Sequence, residues 1–303
     1  VTSRLPVGAR TRLGPGDDAA VVSTPDGQVV ATTDLLVDGR HFRRDWSTPY
    51  DVGRKAAAQN LADVAAMGAV PTALLVGLAA PADLAAFWAE RFADGLRDEC
   101  DLVGAGVVGG DVVRSDALIV AVTALGDLEG RTPVTRAGAK PGDVIAFVGR
   151  LGWAAAGLAT LSRGFRSPRA VVDAHRRPEP QYAQGPIAAT SGATSMIDVS
   201  DGLVADLGHV ARASEVCIEL RSAAMPVATE LSRVGDALAV DPMTWVLGGG
   251  DDHAFVATFP SSGDVPPGWT TIGEVVPIRS AAEGPCVRVD EKPYTTGGYD
   301  HFA

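Results

Sequence analysis

The sequence predicts a two-domain chain in which strands and helices alternate and carboxylates fall at the ends of those elements. Three observations carry this. The 303 residues suit about two domains at ~150 residues each. Apolar, β-branched runs alternate with alanine-rich helical stretches through the first half. The turn-rich segment Arg136-Ala137-Gly138-Ala139-Lys140-Pro141-Gly142-Asp143 then breaks that alternation, dividing the chain into residues 1–137 and 138–303.

The elements follow in order. Residues 28–34 form a β-branched strand that ends on Asp34. Thr48-Pro49 opens a helix, with Thr48 as N-cap and Pro49 at the first helical position. Alanine carries that helix to Ala66 and Gly68 stops it. Further strands are predicted at 72–79, 103–108 and 117–126, with a helix from Pro81 to about Glu99. The second part begins with strand 144–148, a Gly149–Gly152 turn and a helix through Leu161. Residues 167–180, with three prolines, read as a surface connection. Strands are predicted at 196–198, 216–220 and 254–259, and an amphipathic helix at 203–213.

Composition excludes several classes. The formal net charge of -11 disfavours nonspecific binding to nucleic acid or anionic lipid, which calls for a basic face. No apolar run reaches the ~20 residues of a membrane span. Cys100, Cys217 and Cys286 are far apart and form no CxxC pair. The sequence therefore predicts free thiols in a reducing cytosol, and neither a disulfide nor a zinc site.

The chemistry resides in aspartates set beside glycines or at the ends of apolar runs. They are Gly14-Pro15-Gly16-Asp17-Asp18, Thr32-Thr33-Asp34, Asn60-Leu61-Ala62-Asp63, Gly109-Gly110-Asp111, Asp198-Val199-Ser200-Asp201-Gly202 and Gly248-Gly249-Gly250-Asp251-Asp252-His253. Aspartate is a hard oxygen donor suited to Mg²⁺, and glycine lets a backbone approach a ligand closely. Each motif has an ordinary alternative. Gly-Pro-Gly-Asp-Asp is also a surface turn. Asn60 and Asp63 are either the solvent face of their helix or a buried pair that needs a partner. Asp201 or Ser200 also suits a helix cap. The triple glycine is costly in chain entropy and implies a backbone surface that something approaches. No G-x-x-x-x-G-K-[ST] loop, protein-kinase motif set or G-x-S-x-G elbow is present. Metal-held phosphoryl chemistry is the reading that remains.

Taken in this order, the motifs resemble those of the thiamine-monophosphate kinase family, in the aminoimidazole-ribonucleotide-synthetase-like superfamily. The most specific segments are 14–18, Thr-Asp-Leu-Leu-Val-Asp-Gly-Arg-His-Phe at 33–42, Asn-Leu-Ala-Asp-Val-Ala-Ala-Met-Gly-Ala at 60–69, Ile-Asp-Val-Ser-Asp-Gly-Leu at 197–203, and Gly-Tyr-Asp-His-Phe at 298–302. The resemblance implies an α+β fold of two α/β domains. It implies a cytoplasmic homodimer formed by pairing of the N-terminal domain sheets. The implied reaction transfers phosphate from ATP to thiamine monophosphate with several Mg²⁺ ions. By position, Asp18, Thr32, Thr33, Asp34, Asp63, Asp111, Asp198 and Asp201 resemble the Mg²⁺ ligands. Gly110, Asp111, Arg136 and Ser200 resemble ATP contacts, and His41, Asp251 and Tyr299 resemble contacts to the thiamine substrate. The family usually carries Glu where this chain has Asp251. A related enzyme of the superfamily and a non-catalytic Mg²⁺–nucleotide-binding module are the alternatives; Mg²⁺-ATP binding without turnover would mark the second.

Overall fold

The computed structural model describes residues 8–13, 21–279 and 284–294. The chain divides into two compact units, one ending at Arg131 and the other beginning at Thr132, with Ala66–Gly68 clustering with the second.

The first unit runs β1 (Thr11–Leu13), β2 (Val21–Val22), β3 (Val30–Val37), α1 (Pro49–Ala66), β4 (Val70–Ala80), α2 (Ala86–Cys100), β5 (Gly106–Arg114) and β6 (Ile119–Asp127). Four of its strands form a sheet in the order β3-β6-β4-β5. β3–β6 and β4–β6 are antiparallel, and β4–β5 is parallel. The predicted N-cap of α1 is present as a reciprocal pair. The Thr48 hydroxyl accepts from the Asp51 N–H at 3.2 Å, and Asp51 Oδ2 accepts from the Thr48 N–H at 2.9 Å. α1 and α2 meet at glycines. A Cβ on Gly53 would lie 2.1 Å from Phe92 O, and one on Gly95 would lie 2.2 Å from Tyr50 O. The half-buried Arg54 pairs with the fully buried Glu99 beside this crossing.

Period-two alternation sorts the sheet residues into two faces. Leu36, Leu74, Val120, Val122 and Ala124 are buried, whereas Ala31, Thr33, Leu35 and Leu75 are exposed. β5 extends exposed residues from Gly110 to Arg114.

The second unit runs β7 (Val144–Val148), α3 (Trp153–Ser162), α4 (Arg169–Arg176), α5 (Gln184–Thr190), β8 (Ser195–Val199), α6 (Leu203–Ser214), β9 (Cys217–Leu220), α7 (Thr229–Leu238), α8 (Pro242–Gly248), β10 (Ala254–Phe259), β11 (Thr270–Val276), β12 (Cys286–Val289) and β13 (Lys292–Pro293). Its seven-stranded sheet has the order β13-β12-β9-β11-β7-β10-β8. β7, β8 and β10 are buried along nearly their whole length, and β7 and β10 are almost wholly apolar. Ile145, Phe147, Ile197, Val199, Leu203, Leu207, Val256 and Ile272 form the core.

Three expectations are corrected. The segment 167–180 is not a plain connection: it contains α4, which buries Val171, Val172, Ala174 and His175. The prolines flank that helix, and its apolar face is only one turn or two long. Asp34 does not terminate its strand, since β3 continues to Val37, and neither does Asp111. β5 continues through it to Arg114, paired along its length with β4. Cys217 and Cys286 are not free thiols; they form a disulfide with a Cα–Cα distance of 4.6 Å. The parallel β9–β12 register sets the two residues directly opposite one another, a neighbourhood that their separation of 69 residues conceals. Cys100 is free and buried.

Candidate active site

Two carboxylate constellations emerge, one in each unit. In the first, alternation along β3 points Thr32 and Asp34 to the face that α1 covers. Thr32 Oγ1 donates to Asp63 Oδ2 at 2.7 Å. The Asp34 N–H donates to Asn60 Oδ1 at 3.1 Å, and the Asn60 amide donates to Ala56 O at 2.9 Å. Asn60 is thus buried and satisfied, and Asp63 is half-buried on the same side of α1. Thr33 does not join them. Its hydroxyl lies on the opposite face, donating to Val122 O at 3.0 Å and accepting from Thr123 Oγ1 at 3.1 Å.

The Gly39–Phe42 turn follows β3. His41 Nδ1 accepts the Val37 N–H at 3.0 Å, so the ring proton of the neutral imidazole sits on Nε2. The buried Lys55 donates to His41 O at 3.2 Å. Gly110 and Asp111 stand apart from this group. The pairing registers align Asp34 with Val122, Val122 with Val76, and Val76 with Gly110. Three strand spacings separate the two ends of that row, about 14 Å along the sheet. Within one chain, Asp34 and Asp111 cannot share an ion whose ligands lie at about 2 Å. A Cβ on Gly110 would lie 1.9 Å from Val76 O, so glycine here serves the β4–β5 pairing itself.

In the second unit, Asp198 is the penultimate residue of β8 and the loop to α6 carries Ser200 and Asp201. Asp206, buried in the first turns of α6, accepts the backbone N–H groups of Ser200, Asp201 and Gly202, each at 3.0 Å. Burial, then the nearby Asp198 and Asp201 charges, push the Asp206 carboxyl up to about 7. A carboxylate oxygen from each of Asp201 and Asp206 and a ring nitrogen of His209 lie within 4.8 Å of one another. Desolvation, then Arg212 and Arg136, hold His209 below the usual imidazole range, which puts Arg136 within electrostatic reach of this cluster.

The triple-glycine segment runs alongside the same loop. The Asp251 N–H donates to Ser200 O at 2.8 Å and the His253 N–H to Val199 O at 3.0 Å. A Cβ on Gly250 would lie 2.0 Å from Ser200 O, and one on Gly202 would lie 2.7 Å from Gly248 O. The backbone that approaches these glycines is the chain's own. Asp251 and His253 are both left-handed, at φ +69° and +51°. Asp252 turns inward and accepts the N–H groups of Trp153 and Ala154 at 2.9 Å each, capping α3. Asp18 and Tyr299 lie outside the described residues.

Sequence reasoning missed Asp206 and Asp252 and left His253 without a partner. The signal for Asp206 was a lone carboxylate inside the otherwise apolar Leu203-Val204-Ala205-Asp206-Leu207. For Asp252 it was a second Asp after a glycine run that had only one obvious use.

The chain's two units are those of the AIR synthase related proteins. Residues 16–128 match their N-terminal domain and residues 140–245 their C-terminal domain. The thiamine-monophosphate kinase of Mycobacterium tuberculosis is 52% identical over 279 residues, covering 91% of this chain and 83% of that protein. The Escherichia coli K12 thiamine-monophosphate kinase is 38% identical over 322 residues, covering all of this chain and 94% of that one. The solved structure of AaThiL complexed with AMPPCP and TMP superposes with a TM-score of 0.85 at 34% identity, covering 94% of this chain and 91% of that one. The chain belongs to the thiamine-monophosphate kinase family, a family of phosphotransferases.

Proposed function

We propose that this chain phosphorylates thiamine monophosphate to thiamine diphosphate with ATP, by direct in-line transfer assisted by several Mg²⁺ ions. The observation that carries the reading is the pair of constellations. One is Thr32, Asp34 and Asp63 on β3 and α1; the other is Asp198, Ser200 and Asp201 on a loop fixed by backbone hydrogen bonds. Their donors are carboxylate and hydroxyl oxygens, the set that Mg²⁺ prefers.

An oxygen of the acceptor phosphate attacks the γ-phosphorus of ATP. The bond from that phosphorus to the β–γ bridging oxygen breaks, and ADP leaves. A phosphate oxygen is already largely deprotonated near neutral pH, so no strong general base is required. The protein supplies alignment and charge compensation. Bound Mg²⁺ would neutralise the two approaching polyanions. We assign Asp18, Thr32, Asp34, Asp63, Asp111, Asp198 and Asp201 as ligands, with Thr33 contributing through its main chain. The 14 Å row between Asp34 and Gly110 supports more than one ion. Gly110, Asp111, Arg136 and Ser200 would meet ATP; His41, donating from Nε2, and Asp251 and Tyr299 would meet the thiamine substrate.

We further propose a cytoplasmic homodimer. The sheet face bearing Ala31, Thr33, Leu35 and Leu75 is exposed and supports pairing with a second copy. No helix among the described residues is long and apolar enough to cross a membrane.

The test is product analysis after incubation with ATP, Mg²⁺ and thiamine monophosphate. Metal-dependent thiamine diphosphate and ADP are expected, with thiamine inert as acceptor and EDTA abolishing turnover. ATP binding without product would move the assignment to a binding role. A labelled phosphoprotein within a single turnover would exclude direct transfer.

A further inference from the structure

His253 is the one residue of the glycine-rich segment whose side chain is both buried and aimed at the Asp198 loop. Its ring is 5% exposed, as is Asp198, and Nδ1 lies 2.9 Å from Asp198 Oδ2. The main chain of His253 is fixed independently: its N–H bonds to Val199 O, and β10 pairs with β8 from Ala254↔Val199 onward. The side chain is therefore not needed to register the strands. Its left-handed φ of +51° is uncommon for a non-glycine residue and turns the ring into the interior.

A buried carboxylate needs hydrogen-bond donors to remain ionised. Asp206 receives three from the backbone; Asp198 receives one from His253. As a metal ligand Asp198 would be a carboxylate that only accepts, so in that role the bond takes its hydrogen from Nδ1. That bond takes one lone-pair site of Oδ2 and favours one orientation of the carboxyl group, leaving Oδ1 to a cation.

We propose that His253 is a positioning residue for the phosphoryl-transfer site: it holds Asp198 in the rotamer that binds the divalent cation. This rests on the reading of Asp198 as a metal ligand. Outer-shell partners of this kind change metal affinity by about 10–100-fold when removed. The imidazole is buried against Asp198, so the effect is expected to enter through the metal and not through the acceptor.

The experiment titrates Mn²⁺ into the nucleotide-free full-length protein and follows free Mn²⁺ by EPR. The variants are Asp198→Asn, His253→Asn and His253→Gln, each checked by thermal melt. The Asn amide nitrogen stands where Nδ1 stood; the Gln amide nitrogen stands where Nε2 stood. His253→Asn is expected to bind within a few-fold of wild type, and His253→Gln at least tenfold more weakly. In the enzyme, His253→Gln should raise the Mg²⁺ concentration for half-maximal rate by a similar factor, and should leave KM for thiamine monophosphate unchanged. Equal Mn²⁺ affinity of the two His253 variants, with Asp198→Asn weakened, would overturn the positioning role. Unchanged affinity in Asp198→Asn would instead overturn the ligand assignment on which it rests.

Discussion

The two constellations present similar oxygens by different means. In the first unit, Thr32, Asp34, Asn60 and Asp63 meet because a strand and a helix with their own cores lie side by side. Each polar side chain is placed by the periodicity of its element. In the second unit, only Asp198 is placed by a strand; residues 200–202 lie beyond the end of β8, in the loop before α6. Backbone N–H groups converging on Asp206, and carbonyls bonded to the Asp251 and His253 N–H groups, hold it. The first arrangement tolerates changes that keep the elements in place. The second depends on bare backbone contacts, and hence on glycine.

Four substitutions sharpen or break that contrast. The largest effect on stability is expected for Gly250→Val. Its Cβ would overlap Ser200 O, so the loop or the segment must move. A loss of more than about 4 kcal/mol belongs to this kind of overpacking, read by urea denaturation, with activity lost alongside. If Gly250→Val remains stable and active, the loop is not held as described.

Asp206→Ala comes next. It strips the acceptor from three N–H groups, of which that of Gly202 is buried. About 3 kcal/mol is expected, with KM for ATP rising because Ser200 and Asp201 lose their placement.

Asp252→Asn acts through pH. Burial raises the Asp252 carboxyl from 3.8 to about 7, against the pull of the Ala154 and Trp153 N–H groups. The folded state therefore holds a proton that the unfolded state releases between about pH 4 and pH 7, and stability falls as pH rises through that window. The full difference is up to roughly 4 kcal/mol, at about 1.4 per pH unit. Between pH 5.5 and 7.5, wild type should lose about 2 kcal/mol relative to Asp252→Asn. Parallel Tm-against-pH curves for the two proteins would contradict this.

The smallest effect on stability is expected in the first unit. Asp63→Asn keeps an acceptor for the Thr32 hydroxyl and changes stability by under about 1 kcal/mol. It removes a proposed ligand charge, and turnover should fall by about 100-fold or more. Such a separation of activity from stability is expected here and not for Gly250 or Asp206.

The same contrast decides what could be read from the sequence. α1 and β3 were legible because Thr48-Pro49, the alanine run and the β-branched stretch at 28–34 are local signals, although β3 runs on past Asp34 to Val37. The conjunction of Asn60 and Asp63 followed from their spacing of three; whether they were solvated or buried did not, because β3 decides it. The triple glycine was a true sign of close approach, but a sequence cannot say what approaches. The opposite-facing hydroxyl of Thr33 was implicit in strand periodicity and was overridden by its place in a motif. The row of about 14 Å between Asp34 and Gly110, which keeps Asp111 apart, depends on strand order. So does the pairing of Cys217 with Cys286, which exists only because β12 lies beside β9.

That last bond closes the chain into a covalent ring. Residues 217–286 form the ring, and within it lie α7, α8, the glycine segment and β10. A protease that cuts once inside the ring therefore linearises it without releasing a piece: the nicked protein keeps its full mass until a reductant opens the second link. Gly250, Asp251 and His253 stay tethered from both sides through such a cut, whereas Asp198 and Asp201, which lie before the ring, are tethered to it from one side only.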